Sequence, residues 1–75
     1  MSIQVELGQQ IVSLRKEKQI SQEHLALCSD MSVSYLRSIE HGSANPTITA
    51  LNRIANTLKE PLAVSIGIQN EDTKT

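Results

Sequence analysis

Apolar residues recur at helical spacing in the first part of the chain, where they predict two helices in succession. The first runs over residues 5–18, and its apolar side chains share one face at Leu7, Ile11 and Leu14. The second is short and runs over residues 22–29, because Ser21 is a good N-cap and Leu25 and Ala26 provide an apolar face.

Two further helices follow by the same reasoning. Ser32 is the predicted N-cap of a third helix over residues 33–41, and Gly42 stands where a helix often ends in the left-handed region. Thr47 is the predicted N-cap of a fourth helix, which Pro61 is expected to end. The pattern therefore predicts an all-α bundle over residues 5–60.

The hydrophobic period changes after Pro61. Apolar residues now alternate with smaller or polar ones, which is typical of a β-strand, here over residues 61–68. The apolar set is Leu62, Val64, Ile66 and Ile68. A single strand has no partner for its backbone hydrogen-bonding groups. We therefore expect it either to pair with a second copy and form a homodimer, or to lie against the bundle as an extended segment.

The length of 75 residues allows one domain, residues 1–75, which ends in a polar, flexible tail over residues 69–75. A domain this small buries only about 60% of the surface that its unfolded chain exposes, so its stability is marginal. Cys28 is the single cysteine, which excludes an internal disulfide. Association with a second copy is the expected source of additional stability.

The composition also limits the classes of function that we expect for this chain. The sequence contains no nucleophile–base set, no glycine-rich phosphate loop and no cysteine–histidine cluster at metal-ligand spacing. We therefore expect no enzyme, no cofactor and no metal. No apolar run approaches the roughly 18 residues that span a membrane, so we expect no membrane partner. The lone thiol and the lack of a signal peptide favour a cytoplasmic location.

Residues 21–42, SQEHLALCSDMSVSYLRSIEHG, resemble the helix-turn-helix of the Cro/repressor family, also called the Xre family. The resemblance extends from Leu7 to Leu62. Ala26 supplies the small residue that two steeply crossing helices need. The family usually has glycine in the turn, where this chain has Asp30, which tolerates a positive φ better than most residues. The resemblance implies a lambda-repressor-like bundle of four or five helices, a short fifth helix being the alternative to the C-terminal strand.

The resemblance implies double-stranded DNA as the partner, although the formal net charge of −1 is unusual for such a domain. A helix-turn-helix places the second helix of the motif, called the recognition helix, in the major groove, with the N-terminal residues of that helix nearest the bases. In this chain the recognition helix is the third predicted helix, over residues 33–41. The candidate base contacts are Val33, Ser34, Arg37 and Ser38. Arg37 is the residue of this set that can bind guanine through two hydrogen bonds, and its alternatives are contact with phosphate or a solvated position without DNA contact.

Four other residues are candidates for contact with the DNA backbone: Gln22, Tyr35, Ser43 and Asn45. The resemblance implies that Gln22, at the start of the second predicted helix of the chain, binds a phosphate group of the DNA backbone. We call this role a phosphate clamp. Tyr35 occupies a position whose hydroxyl often contacts phosphate in the family, and a ring half-buried against the motif is the other interpretation. Ser43 and Asn45 belong to the loop after the recognition helix.

Arg15 and Glu40 stand where the family has an ion pair between the first helix and the Ile-Glu-x-Gly stretch. The resemblance gives this pair a structural role, separate from DNA recognition.

The predicted function is a cofactor-free transcriptional regulator, a repressor that binds an inverted-repeat operator as a homodimer. The alternative is an antitoxin. A strand after a Cro-like bundle is similar to the arrangement of HipB-type antitoxins, which bind a toxin protein as well as their own operator.

Overall fold

The computed structural model describes residues 2–62, which form four α-helices joined by short loops. The helices are α1 (Ile3–Glu17), α2 (Gln22–Cys28), α3 (Val33–His41) and α4 (Ile48–Leu58). The predicted all-α bundle is thereby confirmed. The strand predicted over residues 61–68 lies outside the described residues from residue 63 onward, as does the predicted tail.

A hydroxyl side chain starts each of these four helices. In every case its oxygen accepts a hydrogen bond from the backbone N–H three residues later, at 3.0–3.1 Å. The caps are Ser2, Ser21, Ser32 and Thr47. Three of them are the predicted caps. Ser2 is the fourth, and it explains why α1 begins two residues before the predicted start at Val5, since it satisfies an N–H group that would otherwise lack a partner.

The C-terminal ends of α3 and α4 both lie in the left-handed region. Gly42 ends α3 at φ 81°, as predicted, and Lys59 ends α4 at φ 59°. Helix α4 stops at Leu58, three residues before Pro61, so it ends ahead of that proline as expected. The residue before a proline is disfavoured in the helical region, so Glu60 cannot extend α4 and the chain turns at Lys59 instead.

The turn between α2 and α3 has the geometry that a helix-turn-helix requires. Asp30 has a φ of 56°, as the resemblance predicts. The backbone N–H of Met31 donates to the carbonyl of Ala26 at 3.0 Å. Ala26 itself is 1% exposed, which places the small side chain inside the helix pair.

The core is built from apolar side chains of all four helices. Its fully buried members include Ile11, Leu25, Leu36, Ile39, Ile54 and Leu58. Gly8 allows α1 to approach α3 closely, because a Cβ at this position would overlap the carbonyl groups of Ile39 and Glu40. This close approach brings the C-terminal half of α3 against α1, where the polar cluster described below is found.

Candidate nucleic-acid interface

Helix α3 has one face in the core and another in solvent. Leu36 and Ile39 are fully buried, whereas Ser34 and Arg37 are exposed and Val33 and Ser38 are half-buried. Residues at i, i+1, i+4 and i+5 share one side of a helix. We call the four predicted base contacts, Val33, Ser34, Arg37 and Ser38, the reading face.

The reading face is ordered by contacts within the protein. Val33 packs in part against the hydrophobic core. The Ser38 hydroxyl donates to the carbonyl oxygen of Ser34 at 3.2 Å. Arg37 is the one lysine or arginine in the sequence of α3, so this face carries a single full positive charge.

The loop after α3 is tied to the reading face through one carbonyl. The carbonyl oxygen of Ser38 accepts hydrogen bonds from the backbone N–H groups of Ser43 and Ala44, at 3.0 and 3.2 Å. It also accepts one from the Ser43 hydroxyl, at 3.3 Å. Ser43 and Asn45 are both exposed in this loop. The structure therefore holds Ser43 at the C-terminal end of α3, and Asn45 follows in the same loop.

Tyr35 lies partly inside the protein. Its ring is half-buried and packs against the hydrophobic core. Its backbone N–H donates to the Ser32 cap, which fixes it in the first turn of α3. This packing agrees with the interpretation of Tyr35 as a half-buried ring, and it leaves a role for the hydroxyl as a proposal.

A buried polar cluster joins α1, α3 and the start of α2. The Nε and Nη2 atoms of Arg15 donate to the two carboxylate oxygens of Glu40, at 2.9 and 3.2 Å. Nη1 of Arg15 donates to the carbonyl of Ile20 at 3.2 Å. The side chains of Glu40 and Arg15 are 3% and 14% exposed. The structure thus brings together the two residues of the predicted ion pair.

Gln22 is the third side chain of this cluster, and sequence reasoning missed its contact. Its Nε2 donates to Oε1 of Glu40 at 2.9 Å. The two residues lie on different helices, 18 positions apart, so no spacing in the sequence indicates that they meet. Gln22 is half-buried at the first position of α2, between the buried pair and solvent.

Two further ion pairs lie at the surface. Nζ of Lys18 is 3.3 Å from a carboxylate oxygen of Glu60, and Nη1 of Arg53 is 3.6 Å from one of Asp30. Their side chains are substantially exposed, so each pair contributes little to stability. They do neutralise positive charges that would otherwise contribute to an attractive field.

Two other kinds of feature are absent from the described residues. Residues 2–62 contain no group of three histidine, cysteine or carboxylate side chains placed to hold a metal ion. None of the four helices is long and apolar enough to cross a membrane. A capped helix pair around a tight turn, with one exposed polar helix face, defines the helix-turn-helix class of proteins.

The comparison with protein families gives the same result. A family model described as helix-turn-helix matches residues 11–64, more than half of the chain. The chain therefore belongs to the helix-turn-helix family of the Cro/C1 type, whose members are DNA-binding transcription regulators and not enzymes.

Two curated proteins are similar in sequence. The immunity repressor protein of Bacillus phage phi105 is 34% identical over 61 residues, which are 81% of this chain and 42% of that protein. The chain thus spans less than half the length of this relative. The helix-turn-helix transcriptional regulator y4dJ of Sinorhizobium fredii is 38% identical over 52 residues, 69% of this chain and 68% of the other.

Solved structures share the fold. The restriction-modification controller protein C.AhdI of Aeromonas hydrophila is 33% identical with a TM-score of 0.74, covering 76% of this chain and 86% of its own. The clp gene regulator ClgR of Corynebacterium glutamicum has a TM-score of 0.80 at 24% identity, covering 83% and 80%. At this lower identity, the second match speaks for the fold alone.

We predict that breaking the buried pair from one side destabilises the fold far more than removing both partners. Glu40→Gln should lower the free energy of unfolding by about 3–5 kcal/mol, since it leaves the Arg15 charge buried without its partner. Replacing both residues with methionine should cost much less. Urea unfolding monitored by circular dichroism measures these differences.

The surface pair provides the matched control. Glu60→Gln breaks the exposed contact with Lys18 and should change stability by only about 0–1 kcal/mol. An unaltered melting temperature for Glu40→Gln would contradict the structural role of the buried pair.

Proposed function

We propose that this chain is a sequence-specific DNA-binding regulator of transcription, which acts as a repressor and binds an inverted-repeat operator as a homodimer. The observation that carries the proposal is the division of α3 into two faces. Its buried face is fixed by Leu36 and Ile39, and its N-terminal half presents Ser34 and Arg37 to solvent. In a helix-turn-helix, these are the positions nearest the base edges of the major groove.

The reading face has suitable chemistry for direct contact with bases. Arg37 can donate two hydrogen bonds to O6 and N7 of guanine, and Val33 can contact a thymine methyl group. Serine hydroxyls can serve as donor or acceptor, so Ser34 and Ser38 fit several bases. Phosphate contact by Arg37 is the alternative, and the experiment below separates the two roles.

Residues on both sides of α3 are suited to hold the DNA backbone. Gln22 lies at the start of α2, and Ser43 and Asn45 lie in the loop bound to the end of α3. The hydroxyl of Tyr35 is the fourth candidate. Contacts of this kind set the position and orientation of a protein on DNA without reading its sequence.

The charge distribution predicts a modest electrostatic contribution to binding. Lys18 and Arg53 are engaged in surface ion pairs, and Arg15 is engaged in the buried one. Half of the six lysine and arginine side chains in residues 2–62 are thus in ion pairs, which reduces the positive charge available to displace counterions from DNA. The affinity should consequently fall less steeply with salt than that of a strongly basic repressor.

The names of relatives support a repressor or controller role over other regulatory functions. The phi105 relative is an immunity repressor, and the C.AhdI neighbour is a controller of a restriction-modification system. The antitoxin alternative gains no support from residues 2–62, because most of the predicted strand on which it rests lies beyond Leu62.

Selection from a random duplex pool tests the proposed function. We predict an inverted-repeat consensus whose half-sites lie about 34–36 Å apart, one helical turn of DNA. In the same selection, Arg37→Ala should lose the preference at one position per half-site and bind the wild-type consensus more weakly by about 1–3 kcal/mol.

Lys59→Gln is the control for loss of one positive charge, because Lys59 lies at the C-terminal end of α4, outside the reading face. It should leave the consensus unchanged. If the Arg37→Ala variant lost affinity equally for every DNA sequence, Arg37 would contact phosphate and not a base. Failure of the wild-type chain to enrich any motif would refute the proposed function.

We infer that dimer formation uses the C-terminal segment, through the alternating residues Leu62, Val64, Ile66 and Ile68. Antiparallel pairing with the same segment of a second copy would satisfy the strand's backbone groups and bury its apolar face. Leu62 is half-buried and packs against the core of its own chain. This contact would link the position of the strand to the bundle, and thereby to the spacing of the two recognition helices.

Truncation after Glu60 tests the dimer. We expect the shortened chain to sediment as a monomer and to bind an operator with two half-sites much more weakly. The reason is that a monomer binds one half-site only, whereas a dimer binds both half-sites at once. Truncation after Gln69 keeps the alternating segment and should leave both properties unchanged. A dimer that persists after the shorter truncation, with normal DNA binding, would contradict this role of the segment.

A further inference from the structure

Gln22 connects the buried ion pair to the surface proposed to face DNA. Its side chain is half-buried, and its Nε2 lies 2.9 Å from Oε1 of Glu40. The Glu40 side chain is 3% exposed. The contact therefore joins a core carboxylate to a candidate phosphate clamp.

The chemistry of the partner fixes the orientation of the Gln22 amide. A carboxylate accepts hydrogen bonds and has no hydrogen to donate, so the nitrogen of the amide must face Glu40. One of the two N–H bonds of Nε2 is directed to Oε1 of Glu40. The second N–H and the amide oxygen are then held in a defined direction, because rotation of the amide by 180° would place two acceptors against each other.

We propose that Glu40 is a positioning residue for DNA binding, which orients the amide of Gln22 so that its second N–H donates to a phosphate oxygen. This proposal rests on the proposed function, and it assigns the buried pair a role in affinity in addition to its role in the fold.

Arg15 is needed for the same contact. A carboxylate so close to a bound phosphate would repel it unless its charge were compensated. Arg15 compensates that charge through two hydrogen bonds, at 2.9 and 3.2 Å. Glu40 can therefore hold the amide by a charge-assisted hydrogen bond without presenting a net negative charge to DNA.

We expect the hydrogen bond between Gln22 and Glu40 to increase the affinity for DNA, because it orders the Gln22 side chain before DNA binds. Ordering a flexible side chain on binding costs free energy, and a glutamine that is already held avoids most of that cost. The saving corresponds to about a 2- to 12-fold lower Kd for each such contact.

A cycle of four proteins tests the positioning role, with the Kd for the selected operator duplex as the readout. The proteins are the wild type, Gln22→Ala, the double variant Arg15→Met/Glu40→Met, and the triple variant that combines them. We expect Gln22→Ala to raise the Kd about 2- to 12-fold in the wild-type background and less than about 2-fold in the double variant. Gln9→Ala, an exposed glutamine of α1, should leave the Kd unchanged.

An equal effect of Gln22→Ala in both backgrounds would overturn the positioning role of Glu40, while the proposed function would stand. No effect of Gln22→Ala in the wild type, with the operator still bound, would overturn the phosphate contact of Gln22 and this proposal with it. Failure of the wild type to bind any duplex would instead refute the proposed function.

A second measurement needs neither DNA nor the double variant. Nitrogen-15 relaxation of side-chain amides in the wild-type protein should show the Gln22 amide to be nearly as rigid as the backbone and the Gln9 amide to be mobile. A Gln22 amide as mobile as that of Gln9 would overturn the proposal.

Discussion

The constraint on which the rest of the structure depends is that the buried carboxylate of Glu40 must be paired with the guanidinium of Arg15. Moving two charges out of water is costly, and a buried pair is tolerated only when its remaining hydrogen-bonding groups are also satisfied. Here Glu40 accepts two hydrogen bonds from Arg15 and one from Gln22, and Arg15 also donates to the carbonyl of Ile20. One cluster of side chains thus joins α1, α3 and the beginning of α2, so the position of α3 is set by polar contacts as well as by apolar packing.

The close crossing of α1 and α3 allows this cluster to form. Gly8 leaves room for the backbone of Ile39 and Glu40, which places the Glu40 side chain on the α1 side of α3. The side of α3 that points away from the buried Leu36 and Ile39 is left to the reading face. The same helix therefore carries the deepest charge of the fold at Glu40 and the exposed polar groups proposed to contact bases at Ser34 and Arg37. Stability and recognition are arranged on two faces of one short helix.

Most of the fold could be predicted from the sequence because it follows from local rules. The caps Ser21, Ser32 and Thr47 and the left-handed Gly42 follow from the preferences of those residues, and the positive φ of Asp30 follows from the family resemblance. The end of α4 also follows from such a rule, because the effect of Pro61 reaches the preceding residue. The contact between Gln22 and Glu40 could not be predicted, since side chains on different helices meet only when the tertiary structure forms. Pairing of the C-terminal segment stays a prediction, because it concerns residues beyond Leu62 and a second copy of the chain.

The central claim is that the reading face and the residues beside it form the DNA interface, on a support held by the buried pair. Titration of the nitrogen-15-labelled protein with its selected operator duplex tests this claim most directly. We predict that the largest chemical-shift changes occur at Gln22, Ser34, Arg37 and Ser43, while the chemical shifts of Gln9 and Lys59 are unchanged. The NMR signal of the Arg15 Nε–H group should persist in the complex. Shift changes concentrated on the outer face of α1 or at the end of α4, with α3 unperturbed, would contradict it.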